Sequence, residues 1–275
     1  MQPLSKRKRR VYMYGLFVVF LLCLPAVMFY ANGYRFEIGV GFVRTGSIII
    51  SVSEGNAVVF LNGEEIGTSG FLRRNFYVDN LAPDTYQILV LREGDHPWHR
   101  SLVVEEELVT DAQAFLVPKE ILSVRLIDSA RVPLSTTTTP HATYEKYRTA
   151  FLPSKATSTP IAPTSNEVAV VEDGDVFVLW VDGDTLPPSR FCRAPSTCGT
   201  LIPVEVGGQL AINAEFFDGG VVYTTKEGGV FLGEVDVRPE PLTVPLYSMR
   251  GADFRIVDGH LIVKDGTVLY EIMGL

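Results

Sequence analysis

The chain has 275 residues, 47% apolar and 20% charged, enough for an anchor and one or two packed domains. Its formal net charge is −8, yet Lys6, Arg7, Lys8, Arg9 and Arg10 crowd positive charge into the start, leaving a strongly acidic body. Such a body argues against nucleic acid as a partner, because phosphates demand positive charge at the contact.

The first predicted element is a single-pass membrane span over residues 11–34, which contain no charged side chain. The run VYMYGLFVVFLLCLPAVMFY matches the ~20 residues a helix needs to cross a hydrocarbon core of ~30 Å. Pro25 is tolerated in a span, and Tyr12, Tyr14, Phe29, Tyr30 and Tyr34 lie near the ends, where rings favour the headgroups. The alternative is a cleaved signal peptide. Cutting after Ala31 or Ala26 would put Phe29 or Leu24 where a small residue is needed, and Leu21 and Leu22 spoil Cys23 as a lipid-attachment site. The reading is therefore an uncleaved anchor in the cell membrane. Residues 1–10 form a basic cytoplasmic tail, and the chain beyond Tyr34 is extracytoplasmic.

Residues 35–46 read as a juxtamembrane segment and 47–118 as a small β-sandwich. SIIISV alternates, Asn62-Gly63 after AVVFL marks a hairpin, and Pro83-Asp84 turns the chain into TYQILVL. SLVVE and AQAFLV add two further strands. The order GSIIISV, AVVFLNGEEIG, NLAPDTYQILVLREGDHPW, SLVVEEE resembles a PEGA domain, over about a third of the chain. Asn62 and Gly63 match the family's hairpin, Leu81, Pro83 and Tyr86 its turn, and Gly94 and Trp98 its last segment. Asp84 stands where the family has a glycine and Asp95 where it has an aromatic. The resemblance implies a fold more than an activity. ANGYRFEIGVGFVRTG likewise resembles the stretch between anchor and PEGA domain in bacterial envelope proteins.

Residues 119–165, with STTTTPHAT and LPSKATSTPIAPTS, read as a Thr/Ser/Pro-rich linker. Within it EILSVRLI is a candidate strand, and TYEKYRTAFL a segment that could pack on a neighbour. Residues 166–275 repeat one pattern, an apolar strand, an acidic-Gly turn and a second strand, around Gly174, Gly228 and Gly266. The spacing is near the ~40–50 residues of a propeller blade, and FCRAPSTCG, PLYSMRGADFRIVDG and LIVKDG resemble propeller strands. The expectation is a mainly β protein ending in an incomplete, propeller-like set of antiparallel sheets, closed by residues 119–152 or by another subunit.

Candidate chemistry is sparse. The sequence carries no phosphate loop, H-E-x-x-H or G-x-S-x-G. Asp95, His96 and His99 have metal-ligand types, but Pro97 makes the segment extended and Trp98 suits a core. Asp173, Asp175, Asp182, Asp184, Asp218, Asp258 and Asp265 lie near turns and lack the spacing of a calcium loop. Trp180, Tyr223, Phe231 and Tyr247 could form a sugar platform or, as their strand patterns favour, a core. Cys192 and Cys198 are either a disulfide stapling a Pro-rich loop or two partly buried thiols.

No cofactor or metal is expected. The leading functional reading is a non-enzymatic envelope protein that presents β modules to a cell-wall polymer, a surface protein or its own copy. A sensor or accessory subunit of a membrane complex is the second reading, and a degenerate propeller-type hydrolase the third.

Overall fold

The computed structural model describes residues 6–31, 33–37, 41–130, 138–152 and 166–275. The protein is mainly β with one long apolar helix at its N-terminus.

That helix, α1, spans Lys6–Ala31 and buries none of its residues. It starts earlier than the charge-free run suggests, because Lys and Arg are good helix formers and the basic cluster continues the helix instead of forming a separate tail. The portion from Val11 to Ala31 rises about 31 Å, long and apolar enough to cross a membrane. Tyr34 leaves the helix and pairs in a hairpin, β1 (Tyr34–Glu37) with β2 (Gly41–Arg44). The stretch read as juxtamembrane is thus structured in part. Arg35 lies 3.8 Å over the Tyr30 ring and donates to Asn80 Oδ1 at 2.6 Å, while Arg44 pairs with Glu107 at 2.8 Å. The hairpin therefore ties the helix end to the first β region.

That region has seven strands: β3 (Gly46–Val52), β4 (Val58–Leu61), β5 (Glu64–Thr68), β6 (Asn75–Leu81), β7 (Thr85–Leu91), β8 (Trp98–Val103) and β9 (Val109–Ala114). They form two sheets, ordered β6-β3-β9 and β5-β4-β7-β8, with β3 and β9 parallel. Alternation puts Ile48, Ile50 and Val52 on one face of β3 and Ile88 and Val90 on one face of β7, and both faces enter a single core. Asn62 and Gly63, at φ 49° and 83°, make the β4–β5 turn, and the Asn62 side chain accepts from the Gln87 N–H at 2.8 Å. Asp84, in the β6–β7 turn, has no positive φ and so needs no glycine; the left-handed residue before it is Asn80, at φ 61°, where the β3–β6 register shifts. Asp84 instead accepts from the Thr85 N–H at 2.7 Å.

The stretch read as a linker is not one throughout. It contains β10 (Leu122–Arg125) and α2 (His141–Ala150). Tyr144 and Tyr147 of α2 pack with Leu126, Ile262 and Leu269. Residues 131–137 and 153–165, the rest of the linker reading, lie outside the described residues.

The C-terminal region has strands β11 (Glu167–Glu172), β12 (Asp175–Trp180), β13 (Cys192–Ala194), β14 (Thr197–Cys198), β15 (Leu201–Val204), β16 (Ala211–Phe217) and β17 (Gly220–Thr225). It continues with β18 (Val230–Glu234), β19 (Thr243–Tyr247), β20 (Asp253–Val257), β21 (His260–Asp265) and β22 (Val268–Met273). The larger sheets follow chain order: β11-β12-β15, β16-β17-β18-β19, and β20-β21-β22 extended by β10 on the free edge of β22. They remain separate and close into no ring. The middle sheet is covered on both sides: Val222 and Leu232 pack with Phe254 and Val263, while Val221 and Tyr223 pack with Val178 and Ile202. Every residue of β17 is accordingly buried. Hairpin turns at Asp173-Gly174, Asp218-Gly219 and Asp258-Gly259 put positive φ on both residues; of the three repeat glycines only Gly174 lies in such a pair, while Gly228 and Gly266 take positive φ, 118° and 58°, after residues that do not.

Candidate functional site

Strand β8 alternates inward and outward, and its inward positions are Trp98, Arg100 and Leu102. Two of these belong in a core; Arg100, only 1% exposed, does not unless anions meet it. They come from the C-terminal region. From the last residue of β18 the chain reads Glu234, Asp236 and Arg238 at alternate positions, each buried. Arg100 forms ion pairs with Glu234 and, at 3.8 Å, with Asp236. Its Nη1 also donates to the carbonyls of His99 at 2.8 Å and Glu240. The Trp98 indole N–H donates to Glu234 Oε1 at 2.8 Å, and the Leu242 N–H to Oε2 at 2.9 Å. Arg238 holds Asp236 through Nε at 2.8 Å and Nη2 at 2.5 Å and reaches the Asp111 carbonyl at 2.9 Å.

Two cations thus face two anions in a seam closed to water. Desolvation pushes the Glu234 carboxyl up, and Arg100 and the Trp98 indole oppose that shift. Such a network contributes little net stability over an apolar seam, but removing one member leaves its partner charged and buried. It fixes one register between the two β regions. Phe115 supports it by packing into the cores on both sides.

The cysteines belong to the same seam. Cys192 and Cys198 face each other across β13 and β14 and are joined by a disulfide. Inside that loop, Ser196 donates its N–H and hydroxyl to the two oxygens of Glu105 at 2.8 and 2.7 Å. The staple presents Ser196 to the first β region.

The seam leaves two clefts. The larger, ≈ 520 Å³, has Phe115, Leu232 and Leu275 in its walls and the exposed Glu54, Asp111 and Asp218 among its lining residues. The second, ≈ 470 Å³, is lined by Trp98, Glu205, Gln209, Phe231 and Glu240 among others. Tyr223 and Phe231 stack there with centroids 5.5 Å apart, and burial pushes the Tyr223 phenol up to about 12.

Of the other sequence candidates, Asp95 pairs with Arg92 at 2.9 Å and His99 with Glu240 at 3.1 Å, so the DHPWH groups turn to separate partners. Among the described residues, Asp128, His141 and Glu145 bring metal-ligand types within 4.8 Å. They sit at the positive N-terminal end of α2, with Arg148 already on Glu145 at 2.7 Å, a setting that opposes a cation. Asp182 accepts from Thr185 Oγ1 and the Asp184 N–H, which holds its carboxyl below the usual range and marks a turn. Arg100 and the Glu234-Asp236-Arg238 run were missed from sequence. Their signal is a charge at an inward strand position, and alternate charges between Val235 and Val237.

No family model matches the chain, and no curated protein is significantly similar to it.

Proposed function

We propose that this chain is a non-enzymatic, single-pass envelope protein that holds a fixed two-part β body outside the membrane for non-covalent binding. Its partner is a cell-wall polymer, a surface protein or its own copy. The N-terminal basic cluster stays in the cytoplasm, the PEGA-like sandwich stands next to the bilayer, and the propeller-like sheets lie beyond it. The observation that carries the reading is the junction of an unburied apolar helix to a body locked by Arg100, Glu234, Asp236 and Arg238. A locked seam keeps two clefts in fixed shape, which lowers the ordering cost of binding.

The test is co-sedimentation of the full chain, reconstituted in vesicles, with isolated cell-wall material. Saturable binding, absent from a heat-denatured control, is expected. Equal sedimentation of native and denatured protein would remove the wall polymer from the reading.

A further inference from the structure

The β5–β6 connection carries two apolar side chains that no described residue covers. Phe71 is 91% and Leu72 94% exposed, at the tip of a loop closed by the Gly70 N–H donating to the Arg73 carbonyl at 2.9 Å. The loop is built to hold that shape. Ser69 is buried, its hydroxyl accepting from the Ala57 N–H at 2.9 Å and donating to the Glu54 carbonyl at 2.7 Å. Arg73 lies 4.6 Å over the Phe76 ring, and Arg74 beside it is exposed. A fixed tip of two apolar residues followed by two cations suits an apolar hollow with an acidic rim.

The larger cleft of this chain, though mixed in lining, offers both features. Phe115, Leu232 and Leu275 supply apolar wall, its carboxylates, with Glu54, Asp111 and Asp218 exposed, outnumber the cations Arg190 and Arg238, and ≈ 520 Å³ accommodates two side chains. The exposure of Phe71 and Leu72 shows that the loop leaves its own cleft empty.

We propose that the Phe71–Leu72 tip docks into the larger cleft of a second copy of this chain. The Ser69 hydroxyl bonds the carbonyl of Glu54, a cleft-lining residue, so the loop is rooted beside its own cleft and one copy carries both in the same part of its surface. A two-fold pair needs that arrangement, each copy giving a loop and receiving one. Anchoring both copies in one bilayer raises their effective concentration. The inference rests on the binding role proposed above and names its partner.

The test uses two differently tagged full-length chains in the same vesicles, both with Cys23→Ser. One carries Leu72→Cys and the other Gln113→Cys, a cleft residue, and a short bismaleimide is added. A mixed dimer is expected. Arg73→Glu with Arg74→Glu on the loop copy should lower its yield roughly tenfold. Glu54→Lys with Asp111→Lys on the receiving copy should restore it, a rescue that misfolded protein cannot give. A yield no higher than with Glu65→Cys in place of the loop cysteine overturns the proposal. Quenching of a fluorophore at Leu72→Cys by a lipid-borne quencher also overturns it and assigns the tip to the bilayer. Wall material retained by the same vesicles without crosslinking overturns self-docking alone. Loss of both overturns the binding role as well.

Discussion

A guanidinium stays charged at any pH the protein meets, so burying Arg100 obliges the fold to bring anions to it. Arg100→Leu is expected to cost about 3–5 kcal/mol near neutral pH, because Glu234 loses its counter-charge while staying buried, whereas Asp236 keeps Arg238. The cost should depend on pH. Without Arg100, burial holds the folded Glu234 pKa further above its ordinary 4.5. Burial already raises Glu234 in the wild type, so up to that raised value wild type and variant lose stability alike and the loss caused by the substitution is smallest. Above it the wild-type Glu234 is ionised while the variant's keeps its proton, so destabilisation grows by up to about 1.4 kcal/mol per pH unit until the variant's higher pKa is reached. Thermal unfolding of the full chain in detergent at acid and neutral pH measures this; a pH-independent loss would contradict it. Tyr223 gives a second signature. Its phenol, raised to about 12, should ionise well after an ordinary tyrosine at 10.0, and its stabilising share is lost as pH rises through that window. The ultraviolet difference titration between wild type and Tyr223→Phe isolates that step.

At the scale of elements, β10 matters because it comes before α2 in the chain yet pairs with the last strand. Leu122 faces Met273 and Arg125 faces Tyr270, and the Leu126 N–H continues the ladder to the Leu269 carbonyl at 2.9 Å. A site-specific protease sequence inserted between Leu134 and Ser135 should therefore give, after cleavage, two fragments that co-elute. Separation under native conditions would show that the β10–β22 edge and the Arg100 seam do not hold the body together. The strands of the first β region were legible because one buried face writes a period of two, as in Ile48, Ile50 and Val52, and Asn62-Gly63 spells its turn. β10 was only a candidate, since all four of its side chains are exposed and its place is set by backbone pairing. The sequence spacing suggested an incomplete, propeller-like set of antiparallel sheets; the antiparallel sheets are present and stay separate, because turn chemistry reports hairpins and not how their sheets close. The seam was hidden because Arg100 and Glu234 lie 134 positions apart, and no local pattern links them.

For the whole molecule, the disulfide, the ion network and the hairpin act in series, from β14 through the seam to α1. Reducing Cys192–Cys198 should leave both β regions folded but free the Ser196–Glu105 contact. Hydrogen exchange is expected to quicken at Ser196 and stay slow in β17; uniform acceleration would mean the staple holds the fold itself. The outermost claim is that α1 crosses the membrane once and puts the whole β body outside. Its most direct test is labelling of intact cells, stripped of any outer layer, with a membrane-impermeant maleimide. The chain carries Cys23→Ser and a single added cysteine, at Ser5 or at Glu65. Reaction of the Glu65 cysteine before lysis, and of the Ser5 cysteine only after it, is the expected result. Reaction in the opposite order would place the body in the cytoplasm and contradict the account.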